Sequence, residues 1–247
     1  MNTTMNAVTN TTMPVAVTTI ATATDTVPYD LMAQGLVRIH TALRRILDTI
    51  VRVSAAPIPE GDRAGFADFC AAFTRFLHTH HDGEEEIIFP KLTEVAARAG
   101  LPAYAQDVTG FRADHKQLLG HLNAFEKATL EFRAGGSREV LQRTAGEVRD
   151  ILFPHLAKEE GDLDASGLAK LLRADEVAAL DLASSKHGQR VGGPGVLVLL
   201  VYSLTPDEQR AQFGGMPWLV RKLLLKRIWS RGFRASLKYA HNPSISL

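Results

Sequence analysis

The sequence predicts an all-α protein, an up-down four-helix bundle with a C-terminal helical extension. Three observations predict it. Apolar residues recur at spacings of three and four along four long segments, the period of one helix face. Clusters of Gly and Pro separate those segments. The chain also repeats itself: a lone His40 precedes His80-x-x-x-Glu84 by forty residues, and a lone His115 precedes His155-x-x-x-Glu159 by the same interval. Two units of equal spacing read as two helical hairpins related by a pseudo-two-fold axis.

Residues 1–27 are rich in Thr, Ala, Val and Asn, with Asp25 the one charged side chain, and are expected to be disordered or loosely packed. No basic n-region precedes the apolar stretch Met13 to Ile20, and threonines interrupt it, so a secretory leader is not expected. The bundle is expected over 28–162. Its first helix runs from about Pro28 to Ser54, where Leu36, His40, Leu43, Leu47 and Ile50 form one stripe before Pro57 and Pro59 stop it. The second begins near Glu60 and places Phe66, Phe69, Phe73, Phe76, His80, Glu84 and Ile87 on one face; Pro90 should kink it one turn past Glu84, and Gly100 and Pro102 should end it. The third, about Ala103 to Arg133, carries Val108, Phe111, His115, Leu118, Leu122 and Phe125. The fourth starts at Ser137 as N-cap and carries Leu141, Thr144, Val148, Ile151, His155 and Glu159.

Residues 163–247 form the expected extension. Asp164 to Ser185 reads as helical, Gly192-Gly193-Pro194-Gly195 as a break, and Val196 to Leu204 as a short helix or strand that periodicity does not decide. Thr205-Pro206 reads as a helix start, and Trp218 to Tyr239 as an amphipathic helix with Leu225, Trp229 and Phe233 on one face.

Charge and composition narrow the classes. There is one cysteine, Cys70, so an internal disulfide is excluded and a reducing, cytoplasmic location is expected. The longest apolar run, Val196 to Tyr202, is far below the ~18 residues of a membrane span. From Gln209 onward the chain has eight Lys or Arg and no Asp or Glu, leaving a balance of −7 before it. The basic tail is read first as a helical cap on the bundle, next as a surface helix for anionic lipid. No recognised module supports nucleic-acid binding.

On a helix, residues i and i+4 share a face, so His80 with Glu84, and His155 with Glu159, can each address one metal ion. All four histidines fall on the buried stripes. Burying four imidazoles and two carboxylates without a metal would cost several kcal/mol. Nitrogen and carboxylate donors suit iron, manganese or zinc. Six ligands are too many for one tetrahedral zinc and suit two ions, each with two histidines, sharing Glu84 and Glu159 as bridges. A solvent-derived bridge would leave room for dioxygen, peroxide or nitric oxide. His81, Glu85 and Glu86 are expected on a solvated face by helical phase, with one of them able to accept from a ligand's ring N–H. His78, His121, His187 and His241 are expected at the surface, Cys70 in the core, and Tyr104 away from the site.

The run His80-His81-Asp82-Gly83-Glu84-Glu85-Glu86-Ile87-Ile88-Phe89-Pro90, the second His155-x-x-x-Glu159, and the isolated His40 and His115 resemble the hemerythrin-like HHE cation-binding domain over about residues 30 to 162. The resemblance implies a four-helix bundle with an oxo- or hydroxo-bridged pair of non-haem iron ions. It carries over His40, His80, Glu84, His115, His155 and Glu159 as ligands. Oxygen-carrying members have a further histidine four residues after the third-helix ligand, where this chain has Leu119; His121 falls about 240° round the helix. Members linked to repair of iron–sulfur centres have Glu at that position. The remaining pattern is similar to the actinobacterial type, associated with peroxide breakdown and responses to oxygen species or nitric oxide. The expectation is a catalase- or peroxidase-like consumer of hydrogen peroxide, a monomer or dimer, with reversible oxygen or nitric oxide binding, iron storage, or iron or oxygen sensing as the alternatives.

Overall fold

The computed structural model describes residues 23–220, 223–225 and 229–241. Among them every regular element is helical. Helices α1 (Ala23–Ser54) and α2 (Glu60–Gly83) form the first hairpin, and α4 (Pro102–Arg133) and α5 (Arg138–Asp162) the second. α2 passes through a π-helical turn (Glu84–Ile88) into α3 (Phe89–Ala99). α1 packs on α2 and α5, and α4 packs on α2 and α5, the ring of neighbours of an up-down bundle. α1 starts ahead of Pro28, which lies inside it; of the N-terminal segment expected to be disordered, residues 1–22 lie outside the described residues.

The helix ends follow their local chemistry. The Ser137 hydroxyl accepts from the Val140 N–H at 3.2 Å, the expected N-cap of α5. Gly100, at φ 68°, ends α3 in the left-handed conformation. The expected kink near Pro90 is a π turn. The Phe89 N–H bonds to the Glu84 carbonyl, five residues back, and Pro90, with no N–H to give, sits in the first turn of α3.

Two apolar layers set the level of the site. The larger holds Leu43, Phe76, Leu77, Leu118, Leu122 and Leu152; the smaller holds Met32, Ile88, Phe89, Phe111, Val108 and Leu163. His40, His80 with Glu84, His115, and His155 with Glu159 all fall at the changeover between the layers along their helices. The site is thus a polar plate between two apolar ones.

The extension comprises α6 (Ala165–Leu171), α7 (Ala174–Ser203), α8 (Pro206–Phe213), a 3-10 turn (Trp229–Phe233) and α9 (Arg234–Leu237). Of the stretch Val196 to Leu204, undecided from periodicity, all but the capping Leu204 is the last part of α7, and the expected break before it is a kink at Gly193 (φ 61°). This part of α7 packs on α1 and α2 and joins the larger apolar layer. Thr205 and Glu208 cap α8 reciprocally, as the sequence indicated. The tail is not one continuous amphipathic helix in its described part, but it does pack: Leu225 is buried, and Tyr239 meets Phe66 at 5.0 Å and Phe69 at 5.8 Å between ring centres. The side chain of Trp229 lies outside the described residues. No helix among the described residues is long and apolar enough to cross a membrane.

Candidate metal centre

The fold brings all six candidate ligands of the sequence together and sets a seventh residue, His81, among them. His40, His80, Glu84 and Glu159 offer donor atoms within 4.8 Å of one another, and so do His81, His115 and His155. In the first group the Nε2 atoms of His40 and His80 face each other at 3.1 Å; in the second those of His115 and His155 face each other at 3.0 Å. The two carboxylates span both groups. Glu84 turns Oε1 to His80 Nε2 (3.4 Å) and Oε2 to His115 Nε2 (3.5 Å). Glu159 turns Oε2 to His40 Nε2 (3.6 Å) and Oε1 to His155 Nε2 (3.4 Å).

Behind the inward nitrogens stand carboxylates. His40 Nδ1 lies 3.0 Å from Glu160 Oε1, and His115 Nδ1 lies 3.0 Å from Glu85 Oε1. Neutral rings that donate from Nδ1 must present a lone pair at Nε2. Asp114 approaches His155 Nδ1 at 3.5 Å. Arg44 donates two hydrogen bonds to Glu160, at 2.6 and 3.2 Å, and Arg112 stands 3.4 Å from Glu85. Partial burial pushes the Glu160 carboxyl up, but His40 and Arg44 together hold it down at about 2.

The electrostatics fit a cation. Burial, then the charges of Glu159 and Glu85, raises Glu84 well above the usual carboxylate range; burial, then Asp114 and Glu160, raises Glu159 similarly. All four carboxylate oxygens are buried with no hydrogen-bond partner among the described residues. Burial lowers His40, His80 and His81, and it holds His115 and His155 at about 4. Neutral imidazoles and unpartnered carboxylates, aimed at one another, are the donor set of a metal site and a costly arrangement without one. The cluster can bind metal.

His81 corrects the sequence reading. It was expected on the solvated face, but its ring stacks on His115 at 4.0 Å and 23°, and its Nε2 is buried with no hydrogen-bond partner among the described residues. The reason is bundle geometry. Within the bundle α2 packs on both α1 and α4, so its buried arc is wider than one stripe. His80 and Glu84 face the interior, while His81 and Glu85, about 100° round, face α4. Glu85 is therefore the acceptor that the sequence allowed for. The signal available was the second H-x-x-x-E in register, His81 to Glu85. His187 is a further correction: expected at the surface, it is buried, with Nδ1 3.5 Å from Glu86. His121 points away as expected, 3.8 Å from Glu147, and Leu119 is exposed. Cys70 lies in the core and Tyr104 in the smaller apolar layer.

The family model of the hemerythrin HHE cation binding domain matches residues 31–163, more than half of the chain. No curated protein and no solved structure matches. The matched span takes in α1 from residue 31, the other three bundle helices and every residue of the cluster, and the chain belongs to the hemerythrin HHE cation-binding family.

Proposed function

We propose that the cluster holds two iron ions bridged by Glu84 and Glu159 and that the protein consumes hydrogen peroxide. The observation that carries the two-ion reading is the split of each carboxylate, one oxygen toward the His40–His80 pair and the other toward the His115–His155 pair. His81 joins the second group as a fifth histidine. Bound iron would supply Lewis acidity and electron exchange with a small oxygen species.

The chain's own residues do the rest. Glu160 and Glu85 fix the tautomers of His40 and His115 and so keep both Nε2 lone pairs inward. Phe89 and Phe111, stacked at 5.6 Å, close the site from the smaller apolar layer and limit water. The His40–His80 group offers fewer histidines than the His81–His115–His155 group. With fewer histidines to hold it, metal on the His40–His80 side would leave more room for a small ligand.

The test is iron content followed by oxygen release from hydrogen peroxide on an oxygen electrode. Two irons per chain and sustained release, both lost in His80→Ala, support the reading. A chain that still holds two irons after His80→Ala or Glu159→Ala contradicts the ligand assignment. A single stoichiometric colour change without turnover contradicts peroxide consumption and indicates reversible binding or sensing.

A further inference from the structure

Between the bundle and the extension lies a cavity of about 520 Å³. Its bundle wall includes Leu36, Ile39, Phe76 and Ile88; its other wall is α7, with Val196 and Leu200. His80 and Glu84 of the metal cluster also line it. The cavity lies where α7 packs across α1 and α2 and reaches the metal cluster at His80 and Glu84. Its volume is within the ~300–1,000 Å³ typical of small-molecule sites.

We propose that this cavity binds a neutral, mainly apolar organic molecule carrying one hydroxyl or carbonyl group. The lining sets each part of that description. It is chiefly aliphatic and aromatic, and none of its described residues is Lys or Arg. Its acidic members are Glu84, whose oxygens face His80 and His115 of the metal cluster, and Asp181. An anionic ligand would meet two carboxyl groups and no basic side chain of Lys or Arg. Hydrogen bonding is the polar demand: the Ser184 hydroxyl is buried, lines the cavity and has no hydrogen-bond partner among the described residues. Thr79, by contrast, already donates to the Arg75 carbonyl at 2.9 Å, and Gln212 accepts from Arg38 at 2.7 Å. Two glycines keep the space open. A Cβ at Gly35 or at Gly188, both lining residues, would meet no atom within 4 Å.

Those glycines make the test clean. Both lie in helices at ordinary φ, so a larger residue enters open space and improves helix propensity. The neutral fluorophore N-phenyl-1-naphthylamine is titrated into the full chain and displaced with 1-decanol, decanoate or decylamine. One saturable site is expected, with 1-decanol displacing at least tenfold better than either charged analogue. Gly188→Phe and Gly35→Phe should each weaken binding more than tenfold, with the melting temperature and metal content unchanged. Ser184→Ala should weaken 1-decanol about fivefold, the worth of one hydrogen bond, and leave the fluorophore unaffected. Glu159→Ala, whose side chain is not in the lining, should bind the fluorophore normally even when metal is lost, which separates this site from the metal centre. The proposal is overturned by absence of a saturable site in the full chain, by unchanged binding in both glycine variants, or by tighter binding of decanoate or decylamine than of 1-decanol.

Discussion

Glu160 Oε1 stands 3.0 Å from His40 Nδ1 while Arg44 grips the same carboxylate at 2.6 Å. Glu85 and Arg112 repeat the arrangement behind His115. Each second Glu of an H-x-x-x-E-E run thus serves the lone histidine of the other half: Glu85, in the first repeat, serves His115, and Glu160, in the second, serves His40. Glu160→Gln keeps the shape but cannot accept as a charged group. It is expected to weaken metal binding about 10–100-fold, read by chelator competition, with helical circular dichroism unchanged. Glu85→Gln should act alike; an effect in neither variant would show that the two carboxylates do not orient their imidazoles.

His81 and His121 form a paired test of the correction to the ligand set. His81 sits against His115 and His155 inside the bundle, whereas His121 faces Glu147 with a half-exposed ring. His81→Ala should shift the visible spectrum of the iron-loaded protein and weaken one of two metal-binding steps by at least tenfold. His121→Ala should leave both unchanged. A silent His81→Ala would return the site to four histidines.

Metal removal should leave a chain whose stability responds to acid in two opposing ways. His115 and His155 titrate near 6.5 in an unfolded chain and at about 4 in the folded one. Between those values the unfolded state binds more protons, so acidification from pH 6.5 to 4 costs stability. Glu84 and Glu159 are raised, so above about 4.5 the folded state binds more protons and acidification relieves it. The double variant Glu84→Gln, Glu159→Gln removes the second effect. Metal-free, it should be more stable than the parent at pH 7.5 by on the order of 1 kcal/mol and lose stability more steeply toward pH 4.5. Denaturant titrations at several pH values check both slopes. A double variant no more stable than its parent at pH 7.5 would mean that the carboxylates find partners when metal is absent.

Spacing alone brought the six clustered residues to light because a helix face repeats regularly: His40, His115 and the two H-x-x-x-E runs needed only the α-helical period. His81 was illegible by the same rule, since one stripe per helix describes a helix with one buried contact line, and α2 touches both α1 and α4. The π turn at Glu84–Ile88 was half legible. Pro90 announced an irregularity, but sequence does not choose between a kink and an i→i+5 turn. His187 was hidden for a different reason. Its burial comes from α7 packing beside Gly83 and Glu86, a tertiary contact with no local period.

The docking of the tail rests on one close approach. A Cβ at Gly65 on α2 would lie 2.9 Å from the carbonyl oxygen of Ala235 on α9, so backbone must meet backbone there. Nearby, Tyr239 covers Phe66 and Phe69, and Lys238 pairs with Asp62 at 2.5 Å. Gly65→Ala cannot relieve the contact by rotating a side chain, because the obstacle is main chain. It should shift or detach α9 at a cost of about 1–3 kcal/mol, the usual range for overpacking. Hydrogen exchange would then accelerate over residues 229–241, while iron stoichiometry, set just over four helical turns away along α2, stays at the parent value. Slow exchange in the variant would mean that α9 stays docked by small backbone shifts; loss of iron would instead mean that the tail braces the half of α2 carrying His80.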